Sequence, residues 1–155
     1  MKLVMLFGLF VAMTAPSPPP HFEFDGLKAG EQTTSESGPL QNANCSKRHR
    51  GKVVCRKVLS KVGGISVRGS LVTLKDGKLH KLFFAGDHSD HKRIREIVVA
   101  RYGKPCGGAH TLNAEKVREG ISTRTEKWCF ATGTLYLSNR RYLSDQFGFE
   151  YLDDR

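Results

Sequence analysis

The chain has 155 residues, with 25 Lys and Arg against 15 Asp and Glu, a formal net charge of +10 and a pI near 9.7. This length supports one domain with a core of its own, and no apolar run reaches the roughly 20 residues that a membrane-spanning helix needs. The positive surplus points to anionic partners, which outside the cytoplasm means lipid headgroups, lipopolysaccharide, acidic glycans, an acidic protein face or extracellular nucleic acid.

At the N-terminus Lys2 precedes an apolar run from Leu3 to Met13 and then Thr14, Ala15, Pro16 and Ser17. This is the layout of a secretory signal peptide, assigned to residues 1–17. No cysteine closes the run, so a lipid anchor is not expected. Residues 18–44 read as a flexible arm rich in Pro, Ser, Thr, Gly and Gln, in which Phe22, Phe24, Leu27 and Leu40 are the apolar anchors and the first three suit a short strand or clip. Residues 45–155 then form the folded domain.

Four cysteines follow: Cys45, Cys55, Cys106 and Cys129. In an exported chain an even number reads as disulfides, and four allow three connectivities. Cys45–Cys55 and Cys106–Cys129 are favoured because each pair encloses a polar loop, and each bridge contributes on the order of 3 kcal/mol by restricting the unfolded chain. Without any Cys-x-x-Cys spacing, a four-cysteine zinc site has little support. Around the first pair lie Lys47, Arg48, Arg50, Lys52, Arg56 and Lys57, the densest positive charge in the chain. These six are the candidate binding patch. The tract lacks interleaved aromatics that would stack on bases, so specific nucleic-acid recognition is not expected.

From Leu71 an alternating apolar run leads to Asp76-Gly77, a pair suited to a two-residue type I′ turn. The register expected from that turn sets Lys75 against Lys78, Leu74 against Leu79 and Leu71 against Leu82. The second strand ends in Phe83-Phe84, with one ring on each side of the sheet. A helix is expected from Ser89 or Asp90, with Ile94, Ile97, Val98 and Tyr102 on its core face and a stop at Gly103-Lys104-Pro105. Beyond it, Asn113 suits the cap of a short helix through Glu119, and strands return at Trp128-Cys129-Phe130, Leu135-Tyr136-Leu137 and Phe147 to Tyr151, with Ser138 to Arg141 as a turn.

Asp87-His88-Ser89-Asp90-His91 resembles the second half of the His-x-His-x-Asp-His motif of the metallo-β-lactamase family, in which such residues hold zinc that activates a water. Gly86 stands where the first histidine would be. About 138 residues remain after a leader of ordinary length, too few for that family's double-sheet fold. The competing reading makes Ser89 and Asp90 helix caps, with His88 and His91 exposed in the first turn. His88, Asp90 and His91 are therefore the metal candidates, with His80 and His110 as further histidines that would have to meet them at one end of the sheet. No other catalytic template is present, and no motif requires a cofactor.

The order of features, Phe24-Asp25-Gly26-Leu27-Lys28-Ala29-Gly30, two cysteines, a hairpin ending in Phe, the Tyr102-Gly103-Lys104-Pro105 helix exit and a Trp strand, resembles small exported bacterial proteins of unassigned function. More distantly it is similar to the BamE/SmpA and β-lactamase-inhibitor-like group, whose helix-to-sheet units also carry a Gly-x-Pro exit before a Trp-containing strand. The resemblance spans residues 64–152 and implies, by analogy, a place in outer-membrane assembly. The hairpin before the helix, the extra cysteines and the missing lipid-attachment cysteine depart from BamE.

The expected fold is α+β: one disulfide-stabilised domain with an antiparallel sheet of four to five strands and one main amphipathic helix on one face. The expected function is that of an exported, periplasmic or secreted, non-enzymatic binding module. Its basic face would engage an anionic envelope component or an acidic protein, as an inhibitor would. The alternatives are a structural envelope or assembly protein, and a small metal-dependent hydrolase or nuclease using His88, Asp90 and His91.

Overall fold

The computed structural model describes residues 21–35, 38–111, 124–139 and 145–154. The expected leader, the helix expected at Asn113 to Glu119, and Arg140 and Arg141 of the expected turn lie outside these residues.

Among the described residues a small hairpin, β1 (Glu23–Phe24) and β2 (Leu27–Lys28), precedes β3 (Asn44–Lys47), β4 (Lys52–Arg56), β5 (Lys61–Val62), β6 (Ile65–Lys75) and β7 (Lys78–Asp87). A 3-10 turn, His88–Asp90, leads into helix α1 (His91–Tyr102), after which come β8 (Gly107–Thr111), β9 (Arg124–Phe130), β10 (Gly133–Ser138) and β11 (Gln146–Asp153). Eight strands join in the order β3-β4-β6-β7-β11-β10-β9-β8, with β5 paired to the start of β6. All of these pairings are antiparallel.

The protein is thus mostly antiparallel β with one short helix, which corrects the α+β expectation of four to five strands. The added strands explain the difference. Asn44–Lys47 and Gly107–Thr111 carry few apolar side chains, and the Val53-Val54-Cys55 run of Lys52–Arg56 is continuous rather than alternating, so hydrophobic alternation does not reveal them. They join the sheet through main-chain hydrogen bonds, which any sequence can supply once a neighbouring strand is in place.

One register row shows how the core face is built. Cys45 pairs with Cys55, Cys55 with Val72, Val72 with Leu82, Leu82 with Tyr151, Tyr151 with Leu135 and Leu135 with Trp128. Because side chains alternate across a strand, every residue in such a row faces the same side. All but Cys45 are at most 2% exposed.

Helix α1 lies against this core through Ile94, Val98 and Tyr102, as its spacing predicts. The β1–β2 hairpin is also docked rather than loose. Phe22 stacks on Tyr151 with ring centroids 3.9 Å apart, and Phe24 sits 4.7 Å from Phe149. Phe22 and Leu27 are fully buried, so these anchors hold the described part of the presumed arm on the domain.

Two local expectations need correction. The Asp76-Gly77 turn forms with positive φ at both residues, and Lys75–Lys78 and Leu74–Leu79 pair as expected, but Leu71 pairs with Phe83 rather than Leu82. A register shift between Thr73 and Leu74 is the cause. The extra residue, His80, bulges from β7 and lets Leu79 and Leu82, three positions apart, both face the core. At the helix start, neither Ser89 nor Asp90 makes the expected cap. Asp90 is already in the right-handed helical region and makes no side-chain cap bond, while the His91 N–H donates to the His88 carbonyl. The 3-10 turn thus supplies the acceptor that a capping side chain would otherwise provide.

The helix stop is as expected. Gly103 takes φ 77° and donates its N–H to Val99 O at 2.8 Å. Its carbonyl accepts from Trp128 Nε1 at 2.9 Å, which ties the helix exit to β9. The Cys106–Cys129 disulfide fastens the same junction, and Cys45–Cys55 links β3 to β4.

Gly86 sits under the Phe147 ring: a Cβ there would lie 2.5 Å from Phe147 Cε1 and 3.2 Å from Ser66 O. Gly86→Ala should therefore destabilise the fold by about 1–3 kcal/mol through overpacking. Gly69→Ala, whose Cβ would meet nothing within 4 Å, should change stability by less than about 0.5 kcal/mol. Urea denaturation of both variants checks the pair; equal effects would refute this packing account.

Candidate anion-binding face

Residues of alternate parity form the face opposite the core. One row runs Arg56, Leu71, Phe83, Glu150, Tyr136, Lys127, and the next Val54, Thr73, Lys81, Leu152, Thr134, Cys129. Lys52 pairs with Lys75 and Lys75 with Lys78, which places three lysines side by side across β4, β6 and β7. The face thus carries Lys52, Arg56, Lys75, Lys78, Lys81 and Lys127 with one carboxylate in these rows, Glu150, which is ion-paired with Lys81.

The lysine row is the least compensated part. Lys52, Lys75 and Lys78 are exposed and form no ion pair among the described residues. Neighbouring strands lie about 4.8 Å apart, so the row extends roughly 10 Å. Like charges directly opposite one another weaken a sheet. The β3–β4 turn adds to the same end. Arg48 donates its N–H to Lys52 O at 2.7 Å, Arg50 and Gly51 take positive φ, and Asp76 N–H donates to Gly51 O at 3.1 Å, joining this turn to the β6–β7 turn.

All six residues of the sequence-derived patch are exposed, but they do not form one cluster. Arg48, Arg50 and Lys52 gather at the turn, beside Lys75 and Lys78, whereas Lys47 pairs with Val53 and stands in the row of Leu74 and Leu79 on the other side of the sheet. Arg56 and Lys57 lie at the other end of β4, where Lys57 takes φ 57° and donates its N–H to Ser70 O. Linear reading missed Lys75, Lys78, Lys81 and Lys127 as companions. The signal available for the first two was their pairing across Asp76-Gly77, which marked an exposed tip.

A cleft of about 330 Å³ opens beside the lysine row, lined by Gly30, Lys75, Asp76, Lys78, Leu79, His80 and Asp153. It forms where Gln32 bridges to Lys78 beyond the end of β11 and Thr33 N–H donates to Gly77 O at 2.7 Å.

The histidines do not converge. His80 is at the Lys78 end of β7, whereas His88 follows its far end, roughly 25 Å away at the rise of a strand. His110 is on β8, opposite Thr125. Among the described residues no group of three His, Cys, Asp or Glu side chains is placed to hold a metal. Gly86 explains the incomplete motif physically, because a histidine there would drive its Cβ into Phe147.

His88 and His91 instead help seat the helix. His88 Nδ1 lies 2.5 Å from Asn139 O, and Arg95 donates through Nε and Nη2 to Glu126 at 2.6 and 2.8 Å, joining α1 to β9. His91 is half-buried rather than exposed, and its Nε2 is buried without a hydrogen-bond partner among the described residues. Burial holds its pKa below the ordinary histidine value, against the opposing pull of Glu126 and with smaller help from His88 and Arg95. The Arg95 hydrogen bonds hold the Glu126 carboxyl below its ordinary value.

Comparison with protein-family models, with curated proteins and with solved structures gives no match, so the functional reading rests on these residues themselves.

Two measurements follow from this electrostatic layout. Adding salt screens the lysine row, so the melting temperature should rise from low to moderate ionic strength, and Lys75→Gln should be more stable than the parent at low salt with a smaller salt response. Identical salt curves would show that the row carries no repulsion. Stability should also fall on acidification. The unfolded chain protonates His91 near pH 6.5, before the folded chain does, so stability is lost as pH drops from there through the lower folded pKa. Glu126 contributes above the ordinary carboxylate range, and that part is lost as pH falls through its depressed pKa. In pH-dependent melting, His91→Gln should flatten the upper limb and Glu126→Gln the lower.

Proposed function

We propose that this protein is an exported binding module, non-enzymatic, whose basic end engages an anionic envelope component or the acidic face of a protein; inhibition of a secreted or periplasmic enzyme falls within this reading. The observation that carries it is the exposed group of Arg48, Arg50 and Lys52 beside Lys75 and Lys78, held by two joined turns and without ion pairs among the described residues. Such a group attracts anions and discriminates against cations, because its cations outnumber the two nearby carboxylates, Asp76 and Asp153.

The leader-like N-terminus supports export. Two disulfides with no free cysteine among the described residues suit an oxidising compartment. The Gly-x-Pro helix exit before a Trp-containing strand, by which the chain distantly resembles the BamE/SmpA group, is a further reason to place the partner in the envelope.

Replacing Arg48, Arg50 and Lys52 together by Glu should abolish retention on heparin and on phosphatidylglycerol vesicles at about 0.15 M salt, where exposed charges still act over about 8 Å. The folded parent should be retained on at least one of them. Retention of the triple variant equal to the parent would overturn the assignment of this basic end.

A further inference from the structure

We infer that the lysine row and the cleft beside it form one site for an acidic carbohydrate, with sugar carboxylates on Lys52, Lys75 and Lys78 and one sugar ring in the cleft. This deepens the anion-binding reading above and rests on it. Three observations select the ligand class.

The first is charge spacing. The lysines stand in register across three adjacent strands, about 4.8 Å apart, so they offer a line of single positive charges rather than one focused pocket. A polymer with one carboxylate per repeating unit can place successive charges along such a line. Binding it would also relieve the mutual repulsion of the lysines.

The second is the cleft. Its 330 Å³ falls in the range of small-molecule sites, about 300–1,000 Å³, and it shares Lys75 and Lys78 with the row. Its other polar lining, Asp76, His80 and Asp153, suits hydroxyl groups: carboxylates accept hydrogen bonds from hydroxyls, and an imidazole can donate or accept. The same two carboxylates repel a ligand of high charge density such as a polyphosphate.

The third is what the row and cleft lack. Among the described residues no aromatic side chain lines the cleft or belongs to the lysine row, so bases have no stacking platform there. Nor is there an exposed aliphatic side chain to enter a bilayer: Leu79, the apolar residue of the cleft lining, is fully buried in the core. A sugar acid needs neither. Its affinity comes from charge-assisted hydrogen bonds and hydroxyl contacts.

The test is calorimetric titration of the full secreted protein with oligogalacturonate, its neutral methyl ester, oligothymidylate and phosphatidylglycerol vesicles. The expected result is binding of oligogalacturonate, little binding of the ester, and about tenfold weaker binding by the Lys75→Gln, Lys78→Gln double variant, two exposed charges being worth roughly a factor of ten together. His80→Ala should weaken oligogalacturonate binding without changing its salt dependence. Lys92→Gln, an exposed helix charge, should change nothing. Binding of oligothymidylate or vesicles without oligogalacturonate would overturn this inference and leave the broader anion-binding reading standing. Failure to bind any of the anions would overturn both, and equal binding by parent and double variant would overturn the placement of the site.

Discussion

The pairing of β11 with β7 is the contact on which the rest of the structure depends. It joins two antiparallel runs made at different places in the chain, β3 to β7 on one side and β8 to β10 on the other, into one continuous sheet. The contact is long-range and is closed by aromatic packing: Phe84 stacks on Phe149 with centroids 4.3 Å apart, and Phe147 lies over Gly86. Without it Tyr151 would have no Leu82 beside it, Phe22 would lose its stacking partner, and the N-terminal hairpin would have no surface to cover. Helix α1 connects β7 to β8 and is held by Arg95 on Glu126 and by Trp128 on Gly103.

A sheet covered on one face leaves the other to carry function. Here the core face gathers the rings and aliphatics, and the opposite parity collects cations from β4, β6, β7 and β9. Their arrangement is not neutral for stability, since Lys52, Lys75 and Lys78 oppose one another directly. At the centre of this face Lys81 is compensated by Glu150. The contrast between a paired lysine at the centre and a repelling row at one end is what directs attention to that end, where the cleft also opens.

The histidine-rich stretch shows how local sequence and tertiary placement can part. Asp87 to His91 contains zinc-ligand residue types at close spacing, yet three of them, Asp87, His88 and His91, have a structural occupation in the fold. Asp87 is paired with Arg68, His88 meets the Asn139 carbonyl, and His91 is drawn against the sheet. The glycine that interrupts the motif is required by an aromatic ring from another strand. Spacing along a chain reports which residues are close in sequence; ligation needs them to converge in space, and convergence is set by packing.

Features governed by neighbouring residues were legible in advance. The Asp76-Gly77 turn depends on the conformational freedom of those two residues, the core face of α1 on its own periodicity, and the helix stop on Gly103 and Pro105, so each was determined within a short stretch of sequence. The strands of Asn44–Lys47 and Gly107–Thr111 were not, because main-chain hydrogen bonds bring them into the sheet and leave no hydrophobic pattern, and in Lys52–Arg56 the short run Val53-Val54-Cys55 does not alternate. Nor was the His80 bulge, which exists to put both Leu79 and Leu82 into a core assembled from distant strands. The basic patch divided along the same line. Its exposure followed from composition, but only strand register placed Lys52 beside Lys75 and Lys78 and sent Arg56 and Lys57 to the other end, because a residue's cross-strand neighbours are chosen by the pairing of whole strands.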